Sequence, residues 1–279
     1  MDHLQLTVRP GEAGLTLLEF LAQHLELSRN KAKGLLDQHS VFVNGRRVWM
    51  AHHPLRPRDR VEVLQAAPRA ARPGRLALAL LFEDAHLVVV DKPPGVLSEG
   101  PDSVELTLRA TLDAPELCAV HRLDRDTSGC LVFARTAAIK AALVPLFREQ
   151  RIVKVYHVLA GGRVSGAPQA ITQPVDGLPA TTHLRVLDSN RVASHLLARI
   201  ETGRTHQIRK HLESIGHPVL GDRTYGAGAR VPEELRGIPR QMLHAQRLVF
   251  RHPVTAQPVR VAAPLPADFQ GCLKRLRLT

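Results

Sequence analysis

The stretch AVHRLDRDTSGCLVFART, residues 119–136, sets Arg122, Asp124, Arg125 and Asp126 between two apolar runs and returns to Leu-Val-Phe soon after Thr-Ser-Gly. Alternating charges on a short loop can be a solvated turn in which they cancel. A carboxylate held between buried strands can instead act as a nucleophile or a base. Three other stretches concentrate polar residues between apolar ones in the same way: DKPPGV at 91–96, RIVKVYHVLAGG at 151–162 and ETGRTHQIRKHLESIGHPVLGDRTYG at 201–226. His121, His206, His211 and His217 form no tight pair at zinc-like spacing joined by cysteines, so no metal is expected and these rings are read as hydrogen-bonding loops or touching phosphate. Neither a Walker loop nor a dinucleotide fingerprint occurs. A hydrolase is disfavoured, because neither a nucleophile elbow nor a second paired carboxylate is recognisable.

The elements that must carry these residues follow from pattern. The chain has 279 residues, 44% of them hydrophobic, enough for one large domain or two unequal ones. Lys and Arg number 38 against 26 acidic residues, a net +12 that points to a polyanionic partner such as nucleic acid. Three cysteines, Cys118, Cys130 and Cys272, argue against a disulfide framework. The first residues lack the pattern of a signal peptide and no apolar run approaches membrane-spanning length, so a cytoplasmic protein without a membrane partner is expected. From Leu76 onward, short β-branched or alternating runs (HLVVVDKPPG, KVYHVLAGG, HLRVL, SHLLARI, RLVF, PVRVAAP) alternate with turn residues, and helical patterns lie near 136–149 and 205–216. This is a strand-dominated α+β pattern.

The N-terminal part reads differently. Thr16 and Glu19 make a capping box ahead of a helix carrying Leu18, Phe20, Leu21 and Leu25, and Ser28 offers a cap to a second helix. VFV-NG-RRVW predicts a hairpin around Asn44-Gly45, and RVEVL at 60–64 a further strand. Eight basic residues (Arg29, Lys31, Lys33, Arg46, Arg47, Arg56, Arg58, Arg60) stand against Asp37 and Asp59 between positions 29 and 60. The SR-x-K-A opening of the second helix and the V-x-V-N-G hairpin resemble the S-four RNA-binding domain. The resemblance implies a small α/β RNA-binding domain over 1–66 in which Arg29, Lys31, Lys33, Arg46 and Arg47 meet RNA; a helical cap with a solvated basic face is the plain alternative. AAPRAARPGR reads as a linker, over 67–75, before a domain spanning 76–279.

The four polar stretches, together with LHAQRLVFRHPVTAQPV and APLPADF, resemble the RluA-type pseudouridine synthases in content and order. The resemblance implies a catalytic core on a mixed, mostly antiparallel sheet with a central cleft. It implies that Asp124 is the catalytic carboxylate, that Tyr156 faces the target base, and that Arg209 pairs with the aspartate. Isomerising uridine to pseudouridine is redox-neutral and needs no energy input, so no cofactor is expected. The carboxylate can attack C1′, add at C6 or remove the C2′ proton, and the sequence leaves the three open. Lys92, Arg122 and Arg125 are candidates for RNA backbone or for structural ion pairs, and Arg204 and His206 for RNA. Ribosomal RNA is the expected substrate, with transfer RNA as the alternative, and a monomer is expected. A non-catalytic RNA-binding protein on the same scaffold would be expected to lose Asp124, Tyr156 or Arg209, and all three are present.

Overall fold

The computed structural model describes residues 3–37, 41–48, 50–64, 77–165, 170–226 and 235–279. The expected linker lies outside these residues. The chain divides into two compact units, 1–74 and 75–279.

In the first unit the strands β1 (His3–Thr7), β2 (Val41–Val43), β3 (Arg46–Arg47) and β4 (Arg60–Leu64) form an antiparallel sheet in the order β1-β4-β2-β3. Helices α1 (Leu17–His24) and α2 (Arg29–Asp37) belong to the same unit. The box closes as expected: Thr16 Oγ1 accepts from the Glu19 N–H, and the Glu19 carboxylate accepts from the Thr16 N–H. Asn44 and Gly45 both take left-handed φ values, 51° and 75°, which a two-residue hairpin turn demands. Phe20, Leu21, Leu36, Val41 and Val61 fill the core.

The second unit holds β5 (Ala79–Glu83), β6 (Leu87–Lys92), α3 (Val104–Thr111), β7 (Cys118–Ala119), β8 (Ser128–Ala134), α4 (Ala137–Arg148), β9 (Val153–Gly161), β10 (Ala170–Ile171), β11 (Thr182–Ser189), β12 (Ala193–Ile200), α5 (Gln207–Ser214), β13 (Leu243–Arg251), β14 (Pro258–Ala262) and α6 (Ala267–Leu276). The sheet runs β10-β11-β12-β9-β13-β8-β6-β5, with β14 on β13 and β7 on β8. Every pairing is antiparallel except β8 with β13. Strand residues divide by the two-residue period. Val88, Val90, Leu131 and Phe133 join one core, whereas Leu87, Val89, Cys130 and Val132 join another, so both faces are covered. That explains the unbroken apolar run of LVVV.

The parallel pairing is short, and it fixes the site. β8 meets β13 only at Ser128 with His244 and at Gly129 with Ala245, while the far end of β8 pairs with β7. At Gly129, φ is +111° and a Cβ would lie 2.3 Å from the Ala245 carbonyl oxygen, so only glycine lets the strands approach. Between these ends the chain leaves the sheet and returns as the loop 120–127. His121 fills the gap: its Nε2 accepts from the Val132 N–H at 3.2 Å and its ring stacks on Phe147 at 4.6 Å. Burial pushes this imidazole down to about 3, consistent with a ring nitrogen that must accept.

Candidate active site

Loop 120–127 is held through its backbone. Lys92, at the end of β6 and 0% exposed, donates from Nζ to the carbonyls of Pro93, Val96 and Arg125 at 2.9, 2.7 and 2.8 Å. Burial pushes the ammonium down to about 7, opposed by the charges of Asp126 and Asp124. Lys92, buried on three carbonyls, is therefore not placed to meet RNA backbone and has no direct ion-pair partner among the described residues; it organises the DKPPG turn against the HRLDR loop. From the other side, Arg240 donates to the Asp126 carbonyl at 2.9 Å and clasps Asp268 of α6 at 2.7 and 3.0 Å. Ser98 completes the frame, exchanging hydrogen bonds with the Leu123 N–H and carbonyl, both at 3.0 Å.

Asp124 projects from this frame with its side chain 28% exposed. Its Oδ2 accepts from Arg209 Nη1 at 2.9 Å and from Gln241 Nε2 at 3.4 Å; its Oδ1 faces His206 Nε2 at 3.7 Å. HRLD and HQIR thus meet although 85 positions separate Asp124 from Arg209.

Arg209 is not dedicated to Asp124. It lies on the buried side of α5, where Nε and Nη2 grip Asp222 at 2.6 and 2.9 Å while the guanidinium carbon sits 5.0 Å from the centre of the Tyr225 ring. Burial alone would raise the Asp222 carboxyl; the Arg209 hydrogen bonds and charge, with the N–H groups of Tyr225 and Thr224, hold it below the usual carboxylate range. Burial works against the Arg209 cation, but Asp222 and Asp124 together raise it. Asp222 is brought into place by Gly221. There φ is +74° and a Cβ would lie 1.9 Å from the Arg240 carbonyl oxygen, so LGD must pass directly against the segment that carries Gln241.

Tyr156 lies mid-strand on β9 with Ala198 of β12 and Ala245 of β13 as its cross-strand neighbours, small residues that leave its ring room. It is 7% exposed and joins the core built on Val158, Ala198 and Ala245. Burial raises its hydroxyl, and the charge of Asp124 adds to that.

Other expected RNA contacts are dispersed. Arg122, Arg125 and Arg204 are exposed, with Arg125 Nε on the Gly95 carbonyl at 2.9 Å and Arg204 Nε on the Pro179 carbonyl at 3.2 Å. His206 sits at the N-terminus of α5 in a left-handed conformation, φ 57°, with Nδ1 3.0 Å from the Tyr225 hydroxyl; burial lowers its ring. In the first unit Arg29 is exposed and paired with Glu19 at 3.0 Å, and Lys33 is exposed. Arg46 and Arg47 lie on β3 and Lys31 on α2, while their side chains lie outside the described residues. His211 bonds Thr182 and the Gln173 carbonyl, and His217 the Gly161 carbonyl. Among the described residues no cluster suited to a metal ion occurs, and no helix is long and apolar enough to cross a membrane.

Asp222 and Gln241 are the residues that sequence reasoning missed. The signal for Asp222 was its place after a turn glycine in LGDRTYG; Gln241 in RQML carries no comparable mark.

A carboxylate held by a guanidinium, on a chain with a net charge of +12, is equipped to act on a sugar or base extracted from RNA. A family model described as RNA pseudouridylate synthase matches residues 86–214. Ribosomal large subunit pseudouridine synthase D of Xylella fastidiosa is 37% identical, covering 98% of this chain and 92% of that protein. The protein of the same name from Haemophilus influenzae is 32% identical, covering 98% and 95%. Among solved structures, human RNA Pseudouridylate Synthase Domain Containing 4 is similar with a TM-score of 0.60 and 25% identity, over 72% of this chain and 94% of that one. Aligned with such relatives along nearly its whole length, the chain belongs to the RNA pseudouridine synthases, in the RluA-type family that its motifs resemble.

Proposed function

We propose that this pseudouridine synthase isomerises uridine in large-subunit ribosomal RNA in the cytoplasm, acting as a monomer, with Asp124 as its catalytic carboxylate. The observation that carries the assignment of Asp124 is its contact with Arg209 through Oδ2 at 2.9 Å, while Oδ1 faces His206 Nε2 at 3.7 Å. The substrate assignment rests on the relatives named for the large ribosomal subunit.

In the reaction the bond from N1 to C1′ breaks, the uracil turns, and C5 bonds to C1′; the C5 proton leaves and N1 acquires one. Asp124 serves by attack at C1′, by addition at C6, or by taking the C2′ proton, and each route needs an ionised carboxylate. Arg209 donates to Oδ2 and so fixes the orientation of the carboxylate. Tyr156 faces the extracted base. Arg122, Arg125, Arg204 and His206 contact RNA around the loop. Residues 1–66 act as an S-four-like RNA-binding domain through Arg29, Lys31, Lys33, Arg46 and Arg47, with 67–75 as linker and 76–279 as the catalytic domain.

The test is an Asp124→Asn enzyme assayed beside the parent on ribosomal and transfer RNA from cells lacking this gene, with pseudouridines mapped before and after and against RNA from cells that have it. The expected result is no new pseudouridine and RNA affinity within a few-fold of the parent, because many cations share the binding. An active Asp124→Asn enzyme overturns the assignment of the carboxylate, and sites lost only from transfer RNA overturn the substrate.

A further inference from the structure

The two oxygens of Asp124 are not equivalent. Oδ2 lies 2.9 Å from Arg209 Nη1 and 3.4 Å from Gln241 Nε2, whereas Oδ1 accepts no hydrogen bond from the described residues and stands 3.7 Å from His206 Nε2. Gln241 is buried, and its amide is itself fixed, since the same Nε2 donates to Thr127 Oγ1 at 2.7 Å. Thr127 in turn donates its N–H to the Asp124 carbonyl at 3.0 Å. Backbone and side chain of the loop are therefore registered to one another through Gln241. An amide NH2 carries two hydrogens in one plane, and both are directed here, one at Thr127 and one at the carboxylate. With a guanidinium and an amide on the same oxygen, rotation of the carboxylate about its last bond would break both contacts.

Resting on the reading of Asp124 as the catalytic carboxylate, we propose that Gln241 is a positioning residue that, with Arg209, reserves Oδ2 as the held oxygen and makes Oδ1 the oxygen that meets the uridine. This holds for attack, addition and proton removal alike, since each uses one oxygen with a free lone pair. It also gives a purpose to the close passage of Gly221 against the Arg240 backbone, which sets the neighbouring glutamine at the height of the loop.

The test compares Gln241→Ala and the near-isosteric Gln241→Glu with the parent and with Asp124→Asn, measuring kcat, KM for RNA, the pH profile of kcat and thermal melting. Loss of one hydrogen bond to a charged group predicts a kcat for Gln241→Ala lower by roughly ten- to a hundredfold, with KM for RNA within a few-fold because the amide faces inward. In Gln241→Glu two carboxylates share one site, so one retains its proton to higher pH and the acid limb of kcat moves up by about one pH unit or more. A merely structural glutamine would lower melting while Gln241→Ala, assayed well below its melting point, kept the parent's kcat. An unmoved acid limb in Gln241→Glu, a kcat for Gln241→Ala equal to the parent's, or a loss seen only in KM each overturns the proposal. If Asp124→Asn is inactive while both Gln241 variants behave as the parent, this inference alone fails; if Asp124→Asn is active, the assignment of the carboxylate fails first.

Discussion

Replacing Arg209 with alanine strands a carboxylate, and the geometry identifies which. The guanidinium clasps Asp222 through Nε and Nη2 at 2.6 and 2.9 Å and reaches Asp124 through Nη1 at 2.9 Å. The side chain of Asp124 is 28% exposed and that of Asp222 is 0% exposed, so water can replace the arginine at the first and not at the second. Breaking a buried pair by removing one partner costs about 3–5 kcal/mol. Asp222 keeps the N–H groups of Thr224 and Tyr225, which puts the expected loss near the lower end, about 3 kcal/mol, or a melting point lower by roughly 6–12 °C for a unit of this size. The pH dependence follows from the direction of the shift. With Arg209 present the Asp222 carboxyl is held low, so its stabilisation is present above the unfolded value of about 3.9 and is lost as pH falls through the folded one. Without Arg209, burial raises the carboxyl; the penalty is then full at neutral pH and vanishes as pH falls towards about 4. Urea unfolding at about pH 7.5 and about pH 4.5 should show a deficit that at least halves at the lower value. Equal deficits at the two values, or a deficit under about 1 kcal/mol at neutral pH, would refute the claim that Asp222 depends on this arginine.

Tyr156→Phe should keep the fold and RNA binding, whereas Tyr156→Ala, which empties a core position, should lose roughly 3–5 kcal/mol by denaturant unfolding as well as target engagement. Gly129→Ala should lower expression of folded protein and melting sharply, because the new Cβ meets the Ala245 carbonyl; an unchanged melting curve would contradict the parallel pairing. Removing residues 1–74 should leave an active catalytic unit with weaker RNA binding and a shallower dependence of affinity on salt, read by titration across salt concentrations. Thr16→Ala should cost the first unit about 1 kcal/mol through its lost cap.

What was legible in the sequence was local. The Thr16 and Glu19 box, the Asn44-Gly45 hairpin and the strand at 60–64 depend on neighbours a few positions away, and the structure has them where expected. Helices near 136–149 and 205–216 appear as 137–148 and 207–214. Two helices carried no expectation, α3 and α6. The site was legible where a motif marks it and hidden where a contact spans loops. Asp222 reaches Arg209 only because Gly221 passes under Arg240, and Lys92 reads as a surface cation until its three carbonyl partners are known. Charge alone does not tell an ammonium that seeks phosphate from one that is buried beneath a loop.

If loop 120–127 carries the catalytic carboxylate, as proposed, its framing by Lys92 and Arg240 has a consequence for how a substrate is chosen. Both cations act on carbonyl oxygens, so they fix the path of the chain without reference to the side chains it displays. A loop pinned at Arg125 and at Asp126 has little freedom to mould itself to an incoming strand. The adjustment on encounter then falls on the nucleic acid, which must unstack and turn out its own nucleotide at a cost of a few kcal/mol. Uridines in bulges and strained junctions meet that cost most cheaply. Discrimination on this view resides in how readily each RNA gives way, and the protein acts as the fixed gauge against which that compliance is measured.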